Sequence, residues 1–193
     1  MNRAFLAFAA AALLTLIGPS AAIAGDEYAV DPVHSMVIFR IKHMGVSNFY
    51  GRFNEVSGSL TVDEENAANC EFQITVNSAS VDTNNNDRDD HLRGPDFFNV
   101  REFPEITFRS KSVTKNEDGI YEVTGDLTFH GVTQEVTVNA EYFGSGPGMQ
   151  GETRCGFEVE ILIKRSDFGV SYLVGRPLSD EVKLIVAIEG ITQ

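Results

Sequence analysis

Tryptophan is missing from this chain, cysteine occurs only twice, and positive charge is scarce, with 15 lysines and arginines against 28 aspartates and glutamates. The charge imbalance repels anions, which argues against nucleic acid as a partner. No serine or cysteine stands on a glycine-flanked nucleophile elbow, because Gly58-Ser59 falls within a strand pattern and Cys155-Gly156 begins one. Helical periodicity is nearly absent too, so the chain has to be read through its strands.

The N-terminus is set aside first. Arg3 precedes an apolar run from Ala4 to Ile17, followed by Gly18-Pro19-Ser20 and Ala22-Ile23-Ala24. This composition predicts a secretory signal peptide over residues 1–24, cleaved after Ala24. The run is too short to span a bilayer core of roughly 30 Å, so no transmembrane segment is expected in the mature chain. The expected mature protein, residues 25–193, has about 169 residues, which suits one domain. Export places it in the periplasm, where Cys70 and Cys155 could bridge. Two buried free thiols fit the sequence equally well, since nothing shows whether their strands are neighbours.

Alternation of apolar and polar residues marks half-buried strands at Val37-Phe39-Ile41, Leu60-Val62, Cys70 to Val76, Ile106-Phe108, Tyr121-Val123, Val136 to Tyr142, Phe157 to Ile163 and Val182 to Ile188. This pattern predicts about eight strands in an antiparallel meander, closed into a barrel or paired as a sandwich. Turn chemistry lies at Asn116 to Gly119, His130-Gly131 and Gly144 to Gly148. Two segments do not alternate, His43 to Tyr50 and the polar run Asp82 to Val100. The latter predicts a short helix over 84–93, capped by Asp82 or Thr83, with i,i+4 pairs Asp87–His91 and Asp89–Arg93, and stopped by Gly94-Pro95.

That run resembles the start of a calcium loop at Asp82, Asn84 and Asn86. The match fails at its sixth position, Asp87 in place of glycine, and at its twelfth, Arg93 in place of an acid. Histidines 34, 43, 91 and 130 lie at strand ends or in loops, and only Asp87 with His91 has a metal-ligand spacing, so no metal and no cofactor are expected. Asp89, His91 or Asp167 could act as acid or base, but nothing in sequence brings them together, and a catalytic role is not expected. Phenylalanine is plentiful, with 14 residues and no indole donor anywhere. Phe39, Phe53, Phe97, Phe98, Phe108, Phe129 and Phe168 could fill a core or wall an apolar cavity.

Several blocks in order carry a resemblance: Tyr28 to Ser35, Ile41 to Ser47, Gly51-Arg52-Phe53, Asp82-Thr83, Arg88 to Arg93, Asp96-Phe97-Phe98, Pro104 to Phe108, Val123 to Thr133, and Arg165 to Gly169. Together they resemble the YceI-like family over essentially the whole mature chain. The resemblance implies an all-β, eight-stranded antiparallel lipocalin-like barrel with one short helix, usually a homodimer, that holds a polyisoprenoid or similar lipid and has no catalytic activity. Under it, the seven phenylalanines become candidates for the tunnel and its gate, with Phe97 and Phe98 at the mouth. His43, Arg88, His91 and Arg93 become head-group candidates, and an uncharged head is favoured if Asp87, Asp89 and Asp90 neutralise the arginines. Two other classes stay in view: an enzyme or metal-dependent stress protein using His43 and His91, and a packed barrel without ligand.

Overall fold

The computed structural model describes residues 25–192; the predicted signal peptide lies outside them. The alternating segments form strands β1 (Asp26–Val30), β2 (Met36–His43), β3 (Ser47–Phe53), β4 (Val56–Val62), β5 (Glu71–Asn77), β6 (Val81–Asp82), β7 (Glu105–Lys115), β8 (Tyr121–Phe129), β9 (Val132–Pro147), β10 (Thr153–Lys164) and β11 (Leu178–Ile191), with one α-helix, α1 (Asn86–Arg93). The ladders between these strands are all antiparallel, and from β7 to β11 each joins sequence neighbours. β1 and β2 share one edge of β11, β4 and β3 are their partners, and β5 and β6 follow. Each of these three pairs is therefore one bent strand, and the chain makes an eight-stranded barrel that closes where β1 meets β11. Closure decides the sequence alternatives in favour of the barrel and leaves no long unpaired edge.

The bends have local causes. Asp31–Ser35 forms a corner between β1 and β2, Asn54-Glu55 separates β3 from β4, and a 3-10 turn at Ser78–Ser80 separates β5 from β6. Register shifts at Ser110/Ser112 and Gly156/Phe157 add further bends. At Gly125 a Cβ would lie 2.6 Å from the Phe108 ring and 2.4 Å from the Arg109 carbonyl, so only glycine lets that ring lie against β8.

Four expectations need correction. Residues 43–50 are a hairpin between β2 and β3, turned by Met44 (φ 57°) and Gly45 (φ 77°), a left-handed pair without the usual asparagine signal. The glycine-rich stretch 144–147 extends β9, because Ser145 to Pro147 pair with Thr153 to Cys155, and the turn follows it. The helix begins at Asn86 and is capped by Asn85, whose side chain accepts from Arg88 N at 2.9 Å. Neither predicted i,i+4 pair forms: His91 meets Asp96 at 3.0 Å and Arg93 meets Asp90 at 3.0 Å.

The seam is locked at the corner. Asp31 N donates to the Glu189 carbonyl at 2.7 Å, and Glu189 N donates to Ser35 Oγ at 3.0 Å. The Asp31 carboxylate accepts from Val33 N, from His34 Nδ1 at 2.7 Å and from Arg154 Nη1 at 2.8 Å. Arg154 also holds Glu189 and, at 2.7 Å, Glu152. Asp31, His34 and Glu189 lie close enough to hold a metal ion, but Arg154 already pairs with both carboxylates, so the group reads as an ion-pair network. His34 and the neighbouring amide hold the buried Asp31 carboxyl far below the usual carboxylate range.

A second aromatic group packs elsewhere in the interior. Tyr142 stacks on Phe157 with centroids 4.7 Å apart, and Tyr121 meets both edge-on at 5.6 and 5.8 Å, in a cluster with Tyr28, Leu60 and both cysteines. Cys70 and Cys155 are free and buried, so the two-thiol alternative holds. Burial pushes both thiols up, Cys155 to about 12.

Asp31→Asn is expected to destabilise the barrel by about 1–3 kcal/mol at pH 7. A depressed aspartate stabilises the fold above its unfolded pKa near 3.9, and that contribution is lost as pH falls toward the folded value. Urea unfolding should therefore show the gap between wild type and variant narrowing below about pH 4. A thiol reagent at pH 8 should find neither cysteine in the native protein and both after denaturation.

Candidate functional site: an apolar cavity with a polar mouth

One end of the barrel is built from the β2–β3 and β8–β9 hairpins, the segment 83–104 and the segment 165–177. Between them lies a cavity of about 600 Å³. Its wall alternates out of the strands: Phe39 and Ile41 from β2, Phe49 and Phe53 from β3, Leu127 and Phe129 from β8, Val182 and Leu184 from β11. Gly51 makes room for the aromatic wall, because a Cβ there would lie 2.2 Å from Phe39 Cζ. A second chamber of about 140 Å³, lined by Phe72, Phe108 and Phe157 among others, lies deeper. Val37, Val76, Ile106, Leu127 and Leu184 line both spaces and form the partition between them.

The polar run forms the cover, held by its own charges. Asp89 is buried and accepts from Thr83 N at 2.9 Å and from Thr83 Oγ1. Arg88 donates to Thr83 Oγ1 at 2.8 Å and to the Thr83 carbonyl at 2.7 Å, while its guanidinium lies 4.4 Å from the Phe49 ring centroid. Arg93 clasps the Ala79 and Val81 carbonyls at 2.9 and 3.0 Å. Beyond the helix, Phe98 N bonds to the Leu92 carbonyl and the ring turns inward, 5.3 Å from Phe53, 5.9 Å from Phe129 and 6.5 Å from Phe39. Phe97 turns elsewhere, to an edge-on trio with His91 and Tyr172 at 5.1 and 5.4 Å.

The candidates named from sequence therefore divide. Phe39, Phe53, Phe97, Phe98 and Phe129 line the main cavity together with His43, Arg88 and His91. Phe108 lines the deeper chamber, and Phe168, 2% exposed, packs behind Phe129 without reaching either space. Arg93 is not in the wall, because its donors serve backbone carbonyls and Asp90. Asp167, once a candidate acid, is exposed on the 3-10 turn Arg165–Phe168.

The wall also holds residues that were not among the candidates, Phe49 and Arg165 among them. Phe49 lay in the segment taken for a loop. Arg165 follows a strand and looks like a surface charge, yet it is 4% exposed and lines the cavity. It donates to the carbonyls of Ser179 at 3.0 Å, Val170 at 3.2 Å and Tyr172 at 2.8 Å. Burial pushes its guanidinium below the usual arginine range. Its position inside the block Arg165 to Gly169 was the available signal.

Comparison with known proteins agrees with this architecture. The sequence model of the YceI-like domain matches residues 28–190. Protein YceI of Salmonella arizonae is 43% identical, covering 100% of both chains. The crystal structure of BcnA from Burkholderia cenocepacia superposes with a TM-score of 0.76 at 29% identity, over 83% of this chain and 98% of that one. A polyisoprenoid-binding domain from Saccharophagus degradans shares the fold, with a TM-score of 0.67 at 18% identity over 86% and 98%.

Asp89→Ala strips Thr83 of its acceptor inside the cover and is expected to cost about 1–3 kcal/mol in urea unfolding, more than the same change at exposed Asp90.

Proposed function

This chain belongs to the YceI-like family, and we propose that it is a binding or carrier protein enclosing a polyisoprenoid or similar long-chain amphipathic lipid in the barrel. The observation that carries this reading is the cavity: about 600 Å³ of space whose wall is overwhelmingly aliphatic and phenyl, with four polar side chains, His43, Arg88, His91 and Arg165. A hydrocarbon gains about 25 cal/mol for each Å² of apolar surface withdrawn from water, and a wall of phenyl rings leaves it no donor unsatisfied. The fold shared with a polyisoprenoid-binding domain supports the ligand class. A packed, ligand-free barrel does not account for a space of this size, and an apolar wall favours binding over turnover.

The head group sits at the polar end, among His43, Arg88 and His91. Phe98 closes over the chain from inside, and Phe97 holds the rim by its contacts with His91 and Tyr172. Delivery in the periplasm follows from the N-terminal signal sequence, and the family supports a homodimer. Among the described residues, no helix is long and apolar enough to cross a membrane.

Native mass spectrometry of gently purified protein, followed by organic extraction, should release a hydrocarbon of defined mass. An empty protein that cannot be loaded with a fluorescent prenyl analogue would overturn the reading. Phe97→Ala and Phe98→Ala should each weaken uptake of that analogue several-fold, Phe98→Ala more because its ring meets three others.

A further inference from the structure

The acidity of this chain is unevenly spread. Residues 32–53 and 168–179 contain no aspartate or glutamate, although the chain carries 28 among its 193 residues. Both segments meet at the mouth of the cavity, where Met44 N donates to the Pro177 carbonyl at 2.6 Å and His43 pairs with Leu178. What they present to water there is apolar and basic. Met44 and Val46, at the tip of the β2–β3 hairpin, are 59% and 85% exposed, and Leu173 and Val174 are exposed on the segment that bonds back to Leu178. Arg40 and Lys42 point outward below the tip, since Phe39 and Ile41 alternate with them into the cavity wall, and Arg176 is exposed on the neighbouring segment. Among the described residues, none of these three cations has a carboxylate within ion-pair distance.

Folding does not account for this rim. Met44 holds φ 57°, a left-handed conformation that suits glycine or asparagine, and its side chain faces water, so neither backbone nor packing asks for methionine there. Leu173, Pro177 and Leu178 also line the cavity, so on this side the apolar surface runs from the inner wall out to the rim. The other side of the mouth differs. There α1 and the turn after it carry Asp87, Asp90 and Asp96, of which Asp90 holds Arg93 and Asp96 holds His91. Acids resume beyond the 168–179 segment at Asp180, whose carboxylate accepts from Ser166 N and Oγ.

We propose that this rim docks the barrel, mouth down, on an anionic phospholipid bilayer, with Met44, Val46, Leu173 and Val174 among the acyl chains and Lys42 and Arg176 at the level of the phosphates. The inference rests on the lipid-binding reading and adds its partner, the surface from which a water-insoluble chain is drawn into the barrel. Apolar tips flanked by cations are the arrangement that binds a membrane interface, by burial of apolar area and by attraction to anionic lipids. The acidic remainder of the protein does not forbid it. At physiological salt, charges are screened over about 8 Å, so the lipid phosphates interact mainly with the rim that touches them. A protein partner is less well matched, because two loop tips offer neither a groove nor a strand edge to pair with.

The test uses mature protein and vesicles at 0.15 M salt. Wild type should co-sediment with vesicles of phosphatidylethanolamine and phosphatidylglycerol, and at least fivefold less with phosphatidylcholine alone. The Met44→Ser/Val46→Ser double variant should lose roughly tenfold in affinity, and Lys42→Gln and Arg176→Gln about fivefold each, the last two only on the anionic vesicles. Because the chain has no tryptophan, Val46→Trp gives a single reporter, which should shift to the blue and be quenched by brominated acyl chains. Met149→Trp, on the β9–β10 turn at the other end of the barrel, should do neither. All these side chains are exposed, and loading of a fluorescent prenyl analogue from solvent should be unchanged in the serine and glutamine variants. Wild type that loads the analogue from solvent but ignores vesicles would overturn docking and leave carriage intact, whereas failure to load at all would defeat carriage itself. Binding unaltered in the double serine variant, or quenching at Met149→Trp instead of Val46→Trp, would overturn the assignment of the rim, and equal binding to phosphatidylcholine would overturn the part given to its cations. A wild-type dimer that the double serine variant dissolves, without any vesicle binding, would make the rim a contact between copies of the chain and overturn the proposal.

Discussion

Everything in this barrel depends on how β11 passes its edge from β2 to β1. A sheet can stay hollow only if its last strand finds its first, because an open edge invites collapse or pairing with other chains. Here the first strand is broken at the point of closure, and the break would leave β11 with unmatched backbone groups around Glu189. Asp31 N and Ser35 Oγ supply those partners, and the Arg154 bridge holds the corner against β10 and β11. The short block Asp31 to Ser35 is thus read as architecture, and its acid and histidine have partners before any ligand is considered.

The same barrel separates two electrostatic environments. Outside, an excess of carboxylates faces solvent, where ion pairs such as Lys111 with Asp126 and Glu135 add little. Inside, rings and aliphatic groups exclude water over most of the wall, and the arginines gather at one end. A low-dielectric interior magnifies whatever charge it contains, so one buried guanidinium acts more strongly on its surroundings than an exposed carboxylate does. Net charge read from composition describes the surface and was silent about the cavity.

How far the sequence could be read follows the range of the interactions involved. Period-two alternation comes from the pleat itself, so the long strands from β7 to β11 and the meander were legible, as was the helix near residue 90, while closure into a barrel was carried by the family resemblance. Local charge arithmetic was not a safe guide. Asp89 and Arg93 pair by helical spacing, but each finds its partner in the segment that precedes the helix, Thr83 for one and the Ala79 and Val81 carbonyls for the other. Phe168 and Arg165 are three residues apart and exchange their expected places: the phenylalanine packs behind the wall while the arginine lines it. Only the tertiary course of the 165–178 segment, folded back through three carbonyls onto the guanidinium, decides this, and no periodicity encodes it.

That course also sets the cover of the cavity apart from its walls. The walls are held by continuous ladder bonds from β1 round to β11, and separating them would cost many hydrogen bonds together. Elsewhere in the interior Tyr121, Tyr142 and Phe157 pack together, tied further by the Tyr142 hydroxyl donating to Glu64 at 2.7 Å. The segments over the cavity are fixed differently, by a few side-chain anchors at Thr83, Arg93 and Arg165. These segments lie outside the strand ladders, so they can open locally without parting the walls, and their anchors are the bonds that would have to give first.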